Sequence, residues 1–318
     1  MKKSNPIFSS IALLAGLSAC SSNDMPVQHS DQYDNITFTV ETQKVATRAN
    51  EYEKYNPSQH PLQMGVFGYQ ANSPASDHTL LDDFDNRKVT FYQDQSSWEY
   101  GTPKKWEEYK NARFFDFLAY MPYRENTANT GKPASVTIQT DAAKQTETYT
   151  LSIPYDPTTY TTASPFLFDS KSAPIICALP EHREVKGEDG TKKSFDHTIR
   201  FKFDQTLTGY KLLFKLDPQM GVIRQFHIKN IQITGKIPTS CTITRNFIYN
   251  KTTQKWTAEE IQWRDTTLQT FTNANPVIIP FKESSLVVTS TDFSQWGGTF
   301  YTIPYAAFEP TIQVTYDV

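Results

Sequence analysis

Three residues of the types found in catalytic triads stand close together in the sequence: Ser194, Asp196 and His197. A triad joins a hydroxyl, an imidazole and a carboxylate in one hydrogen-bonded relay. Neighbouring residues of a strand point to opposite faces, so Asp196 and His197 cannot form that relay with each other. We therefore interpret His197 as a histidine packed at the start of a strand.

Acidic residues cluster at three other places, Asp82 to Asn86, Glu107–Glu108 and Glu259–Glu260. The first cluster lacks the spacing and closing glutamate of a calcium loop, and we interpret it as a solvated turn. The two glutamate pairs are adjacent in sequence, whereas glycoside hydrolysis needs carboxylates placed across a cleft. No nucleophile-elbow, zinc-protease, phosphate-loop or EF-hand motif is present. The sequence therefore predicts no enzyme, no metal site and no other cofactor.

Tryptophan offers a different chemistry, because an exposed indole can stack on a sugar ring. The chain has five of them, Trp98, Trp106, Trp256, Trp263 and Trp296. Tryptophans scattered through a β-sandwich more often pack in the core or at its rim. Packing is the favoured interpretation, and glycan binding stays open.

The first twenty residues have the pattern of a secretory leader, with two lysines before an apolar run from Ile7 to Leu17. That run is too short for a permanent membrane span. The sequence Leu17-Ser18-Ala19-Cys20 is similar to a lipobox, in which cleavage precedes a cysteine that carries lipid. An ordinary cleavage site is the other interpretation. Residues 21–35 are mostly polar and are expected to form a flexible tether.

Length and charge limit the remaining possibilities. The 318 residues predict two domains or one large domain. The 31 basic and 34 acidic side chains give a net charge of −3, which excludes a general attraction for nucleic acid. The 21 Phe and 17 Tyr, together with frequent Thr, favour β structure over helix bundles.

Segments with strand-like patterns recur at short intervals, bounded by Pro, Asn, Asp and Gly. This spacing is typical of antiparallel sandwiches or barrels. Only Lys104 to Arg113 favours a helical turn or two. The predicted strands are Met64 to Tyr69, Lys88 to Tyr92, Phe114 to Tyr120, Ala134 to Ile138, Thr146 to Ile153, Thr198 to Phe203, Tyr210 to Leu216, Ile223 to Thr234, Thr242 to Tyr249, Val277 to Phe281, Leu286 to Thr289 and Thr299 to Ile303.

The segment from Leu179 to Lys193 is rich in charged residues and contains a Gly-Glu-Asp-Gly turn. We interpret it as the connection between two domains, although a long hairpin loop inside one domain fits nearly as well. Cys177 and Cys241 show no motif spacing. Two buried thiols are favoured over a disulfide, which an oxidising exterior would permit.

The two ends of the folded chain alternate apolar and polar residues, as half-buried strands do. Near the start, Ile36, Phe38 and Val40 share one face. The closing segment Thr311 to Val318 alternates in the same way, either for its own core or for a neighbouring subunit. Thr47 to Asn50 is an accessible place for a trypsin-like protease, and an ordinary surface loop is the alternative.

Several segments taken in order resemble the fimbrillin family, the pilin-like subunits of type V fimbriae and their relatives. The resemblance covers most of the chain beyond Cys20. Tyr305 stands where many members have Gln, and residues 131–150 match no family segment. The segments that carry the resemblance are the lipobox at Cys20, Thr47-Arg48-Ala49, Met64 to Tyr69, Trp106, Phe115 to Pro122, Pro165 to Ala173, Phe195-Asp196-His197 with Ile199, Ile228 to Gly235, Thr299 to Pro304 and Ile312 to Tyr316.

The resemblance implies an all-β chain of two transthyretin-like antiparallel β-sandwich domains in tandem. It divides the chain into a lipoprotein signal peptide over 1–19, a tether and propeptide with the first strand over 20–48, and domains over 49–190 and 191–318. It also assigns residue roles. These are lipid attachment at Cys20, proteolytic processing between Arg48 and Ala49, a placeholder strand with Ile36, Phe38 and Val40, and a donor strand with Ile312, Val314, Tyr316 and Val318.

The function that follows is a fimbrial subunit at the outer membrane or cell surface that supports adhesion. An arginine-specific protease releases the first strand, and a strand of the next subunit fills the opened groove. Its partners would be other fimbrial subunits, the protease, and the outer membrane through the lipid. Shaft, tip and anchor positions stay open. The alternative is a glycan-binding surface lipoprotein that keeps its lipid.

Overall fold

The computed structural model describes residues 35–43, 51–109, 112–125, 134–157, 164–221, 224–306 and 309–318. In these ranges the regular structure is almost entirely β, with a single short α-helix, α1. This confirms the all-β prediction. No helix in the same ranges is long and apolar enough to cross a membrane. The predicted leader, Cys20, Arg48 and Ala49 lie outside the described residues.

The described part of the chain contains twenty strands, and α1 is Pro218–Gly221. The strands are β1 (Thr37–Gln43), β2 (Tyr52–Lys54), β3 (Gln63–Ala71), β4 (Thr79–Leu80), β5 (Arg87–Tyr92), β6 (Ser97–Glu99), β7 (Phe114–Met121), β8 (Ser135–Asp141), β9 (Thr146–Tyr155), β10 (Ile175–Cys177), β11 (Glu181–Glu184), β12 (Thr198–Gln205), β13 (Thr208–Phe214), β14 (Phe226–Asn250), β15 (Lys255–Ala258), β16 (Gln262–Phe271), β17 (Val277–Ile278), β18 (Leu286–Val288), β19 (Ser294–Thr302) and β20 (Thr311–Asp317).

Seven strands close into a barrel in the order β7, β10, β12, β1, β6, β5 and β3, because β3 also pairs with β7. β1 lies parallel to β12 over six residue pairs. It pairs with β6 at one position, Phe38 opposite Trp98, and with β2 at three positions. β11 and β4 extend the sheet beyond β7 and β3.

A second sheet is built around β14, which is a continuous strand of 25 residues. The sequence predicted two strands here, Ile223 to Thr234 and Thr242 to Tyr249. Instead, β14 changes partners at this point, passing from β20 to β16. Gly235 adopts a φ of +114°, which other residues rarely reach, and the pairing with β16 absorbs irregularities around Pro238 and Ser240.

The two halves of β14 contribute to different hydrophobic cores. Ile231 and Ile233 pack in a core with Trp296 and Phe300. Ile243 and Phe247 belong to the larger core, which also includes the barrel interior. The opposing layer of the smaller core is the two-stranded sheet of β13 and β19.

Sheet pairing crosses residue 190, where the sequence predicted a domain boundary. β12 lies in the barrel, and β9 pairs with β14 over ten residues. The charged segment 179–193 contains β11, which pairs with β7, and a hairpin closed by a bridge between Lys186 and Lys192. Division into two transthyretin-like domains at residue 190 stays a prediction.

The two described cysteines, Cys177 and Cys241, are free and buried, as the sequence favoured. Burial raises the pKa of each thiol to about 12. Both are therefore neutral, unreactive core groups at physiological pH.

Candidate functional site

β1 fills the barrel from one side with alternating side chains. Ile36, Phe38 and Val40 are 0%, 5% and 3% exposed, and Thr42 is also buried. This confirms that the three apolar residues share one buried face, whereas their role as a placeholder stays a prediction. β1 is therefore part of the barrel wall and of its core.

Phe38 occupies the centre of an aromatic group inside the barrel. Its ring lies 5.5 to 6.1 Å from four other rings, those of Phe84, Tyr100, Phe117 and Phe201. Three of the four contacts are edge-on, a favourable arrangement of aromatic quadrupoles. A side chain that replaced Phe38 would have to fill a large apolar site.

The polar contacts of β1 are unevenly distributed. The ladder with β12 runs from Thr37 opposite Thr198 to Thr42 opposite Phe203. On the other edge, the Ile36 amide donates to the Lys104 carbonyl at 2.8 Å, and the hydroxyl of Tyr100 donates to the Ile36 carbonyl at 2.7 Å. Withdrawal of β1 would thus break one long ladder and leave the edge of β12 without a partner over its length.

β20 is an edge strand whose apolar residues are poorly covered. Ile312, Tyr316 and Val318 are 45%, 54% and 54% exposed, and Val314 is half-buried. β20 pairs with β14, and Ile312 and Val314 lie opposite the buried Ile233 and Ile231. Paired residues share a face, so these side chains point toward the smaller core. They stay exposed at its edge, and their role as a donor strand stays a prediction.

A buried ionic cluster lies between the barrel and the second sheet. His78, in the loop between β3 and β4, places Nδ1 2.6 Å from Oε2 of Glu147 and Nε2 2.9 Å from Oδ2 of Asp116. All three side chains are at most 1% exposed. Lys251 extends the cluster, with Nζ 3.2 Å from Glu147 and 2.5 Å from Asp77.

Other side chains also form hydrogen bonds with the two carboxylates. Asp116 Oδ1 is 2.7 Å from Nδ1 of His182 and accepts a 2.7 Å bond from Nε1 of Trp256. Glu147 Oε2 accepts a 3.0 Å bond from the hydroxyl of Tyr149. Buried charges are tolerated when they are paired and hydrogen-bonded in this way.

The electrostatics make His78 an imidazolium. Burial lowers its pKa, but hydrogen bonds and charges from Asp116 and Glu147 outweigh burial and raise the pKa to about 9. Burial raises the pKa of each carboxyl. His182 and His78 bring that of Asp116 down to about 2, and His78, Tyr149 and Lys251 bring that of Glu147 down to about 2. Nδ1 of His78 hydrogen-bonds Glu147, and Nε2 lies at ion-pair distance from Asp116, so the surroundings of the ring favour a proton on each nitrogen.

This cluster was not predicted from the sequence. Asp116 stands inside the otherwise apolar run Phe114 to Met121, and a carboxylate at a position buried on both faces signals a paired charge. Its partners, His78 and Glu147, are far away in sequence, and nothing in their local pattern identifies them. No group of three or more His, Cys, Asp and Glu residues in the described ranges is arranged to hold a metal ion.

The candidate catalytic residues are not brought together as a triad. Asp196 accepts bonds from the Thr198 amide and from Arg200, and the His197 ring packs 4.4 Å from that of Phe195. Glu107 pairs with Lys192. These carboxylates have structural partners.

The tryptophans pack inside the protein, as the favoured interpretation held. Trp98, Trp106 and Trp296 are buried. Trp256 and Trp263 are half-buried, and their indole N–H groups donate to Asp116 and to the Thr206 carbonyl. Packing is therefore confirmed for the three buried rings, and glycan binding at the two half-buried rings stays open.

A polar cleft of about 430 Å³ lies beside the acidic turn. Asp83 in its wall already binds Lys104 at 2.9 Å and Tyr109 at 2.9 Å. The side chain of Arg87 donates to the Tyr100 carbonyl at 2.7 Å. The cleft is thus lined by surface groups that partly satisfy one another, in agreement with a solvated turn.

The described part of the chain is an all-β protein in which a closed barrel packs against a second sheet. No family model matches the sequence, and neither does any curated protein. A solved fimbrial protein from Bacteroides vulgatus is similar, with 18% identity, a TM-score of 0.49, and 89% of this chain and 83% of that chain covered.

Two other solved structures share lower similarity. A candidate cell adhesion protein from Bacteroides ovatus is 12% identical with a TM-score of 0.33, covering 89% of this chain and 96% of that one. A candidate adhesin from Bacteroides thetaiotaomicron is 7% identical with a TM-score of 0.29, covering 88% and 75%.

Proposed function

We propose that this chain is a structural subunit of a surface fimbria that supports adhesion and assembles by strand exchange. Cleavage after Arg48 would release β1, and β20 of another subunit would take its place in the barrel. The observation that carries the proposal is the position of β1 in both sequence and fold. β1 is a core strand of the barrel, yet the chain connects it to the next barrel strand, β3, through residues 44–62, and Arg48 lies among them.

Release of β1 would leave a large apolar site to be refilled. Burial of Ile36, Phe38 and Val40 contributes about 1.5–3 kcal/mol each, or roughly 5–9 kcal/mol together. Whole domains are stable by about 5–15 kcal/mol. The opened barrel is therefore strongly driven to bind a strand with matching side chains.

β20 has the properties that such a strand requires. It has seven residues, as β1 does, and it alternates apolar and polar residues. Its apolar side chains are already partly exposed, so little burial is lost when it leaves β14. Adding a strand to an open edge satisfies the backbone groups of that edge, and alternate side chains fill the pockets.

The side chains also define a register. When Tyr316 takes the site of Phe38, Val314 and Val318 fall at the sites of Ile36 and Val40. This match holds whether the strand enters parallel to β1 or reversed, because valines flank Tyr316 on both sides. In the reversed direction Ile312 would also fill the site of Thr42.

The partners follow from this mechanism. They are other fimbrial subunits, an arginine-specific protease acting at Arg48, and the outer membrane through lipid on Cys20 before maturation. Nucleic acid is not among them. The place of the protein would be the cell surface.

The proposal is tested in cells by Arg48→Ala, with Lys54→Ala as the control. Both replace one cation by alanine, but Lys54, which is exposed, lies beyond the proposed cleavage site. Arg48→Ala should leave a lipidated monomer in the membrane fraction, and Lys54→Ala should polymerise like wild type. Normal polymers from Arg48→Ala would refute the mechanism.

A further inference from the structure

The ionic cluster lies against the barrel wall opposite β1. Around the ring, β1 is flanked by β12 and β6, then by β10 and β5, and finally by β7 and β3. β7 and β3 pair with each other from Gly65 opposite Tyr120 to Ala71 opposite Phe114. Without β1 the ring becomes an open sheet in the order β12, β10, β7, β3, β5 and β6, and β7 and β3 are its two central strands.

The cluster joins these central strands to the second sheet by directional bonds. Asp116 belongs to β7, and His78 follows β3 in the chain. Glu147 belongs to β9 of the second sheet, and Lys251 follows β14. His78 contacts the carboxylates from both layers, so a single imidazolium bridges the barrel wall and the second sheet.

Aromatic side chains of the second sheet enclose the bridge. The ring of His78 lies 4.8 Å from that of Tyr249, 6.1 Å from that of Tyr149 and 6.3 Å from that of Trp256. Trp256 also donates to Asp116. Apolar contacts alone tolerate sliding of one layer over the other, whereas the His78–Asp116 ion pair and the hydrogen bonds to Glu147 and from Trp256 favour one arrangement.

We propose that the His78–Asp116–Glu147 cluster clamps the β3–β7 wall to the second sheet, so that the barrel keeps its open shape when β1 is withdrawn. Only β12 and β6 then have a free backbone edge, and these two strands border the vacated site. The clamp acts for any event that loosens β1 and does not require cleavage at Arg48.

The test loosens β1 in the full-length chain and measures amide hydrogen exchange strand by strand. Phe38→Ala removes the central side chain of β1 without any protease. With the clamp intact, exchange should rise in β1 while β3 and β7 stay protected. In the double variant Phe38→Ala/His78→Gln, exchange in β3 and β7 should be at least about tenfold faster, as expected when a charge-assisted bond is lost.

A matched control is Phe38→Ala/Val288→Ala, which destabilises the smaller core and leaves the clamp intact. It should leave β3 and β7 protected. Lys251→Met changes the outer end of the cluster and is a milder variant. In the Phe38→Ala background it should also speed exchange in β3 and β7, as His78→Gln does.

Three results would each overturn the proposal. In the first, β3 and β7 lose protection together with β1 in Phe38→Ala alone. In the second, they stay protected in both clamp variants. In the third, the Val288→Ala control exposes them as strongly as His78→Gln does. None of these results depends on strand exchange, so the clamp and the proposed function fail separately.

Discussion

The charge on His78 should make stability fall at alkaline pH. Its pKa rises from an ordinary value of 6.5 to about 9 in the folded protein, because Asp116 and Glu147 outweigh the effect of burial. A folded-state pKa above the unfolded value stabilises the protein fully below pH 6.5 and progressively less as pH rises through 9. This rise in pKa corresponds to about 3 kcal/mol of stability.

Urea unfolding of wild type and His78→Gln at pH 6.5, 8 and 9.5 measures this contribution. The free energy of unfolding of wild type should fall by about 3 kcal/mol across the range more than that of His78→Gln, which lacks the titrating ring. Comparison with the variant removes the contributions of other groups, among them Lys251 and the nearby tyrosines. Histidine NMR on wild type gives the same answer if the variant does not fold.

Equal pH dependence in the two proteins would refute the reasoning. So would an NMR titration that places the pKa of His78 at or below 6.5. Either result would mean that burial, and not the two carboxylates, dominates the environment of the ring.

Four further predictions concern the carboxyls of the cluster, the barrel core, the cysteines and β20. Both carboxyls of the cluster have pKa values of about 2, so the stabilisation that they provide should be lost only as pH falls through about 4 toward 2, measured by acid unfolding. Phe38→Ala should lower the free energy of unfolding in urea by about 3–5 kcal/mol. Tyr92→Ala, at a half-exposed site, should change it by less than about 1 kcal/mol. Similar effects of both substitutions would contradict the central position of Phe38. Cys177 and Cys241 should react with a thiol reagent only after unfolding, and rapid labelling of the native protein would contradict their burial. Deletion of Thr311 to Val318 should allow folding but stop chain growth, and an unfolded product would mean that β20 belongs to its own core.

Local patterns in the sequence identified much of the fold. The alternation in β1, β9 and β20 and the apolar run in β7 correspond to strands in the structure. The sequence from Phe247 to Trp256 also predicts a hairpin with its loop near Asn250 to Thr253, and the pairing of β14 with β15 confirms it. These elements depend on side-chain periodicity over a few residues, which a single sequence records.

Features that depend on distant contacts were not predicted. β16 has mostly exposed, polar residues, so its pairing with β14 leaves little periodic signal. The parallel pairing of β1 with β12 joins residues more than 150 positions apart. The ionic cluster combines a loop histidine with two strand carboxylates that only the closed topology brings together.

Exchange of β1 for a strand of another subunit can be observed on the purified protein. Purified protein lacking residues 1–20 is treated briefly with an arginine-specific protease and analysed by intact mass and on an unboiled gel. The account predicts a product that begins at Ala49, together with a ladder of detergent-resistant multimers. Resistance at Arg48, or cleavage that yields only a stable monomer, would contradict it.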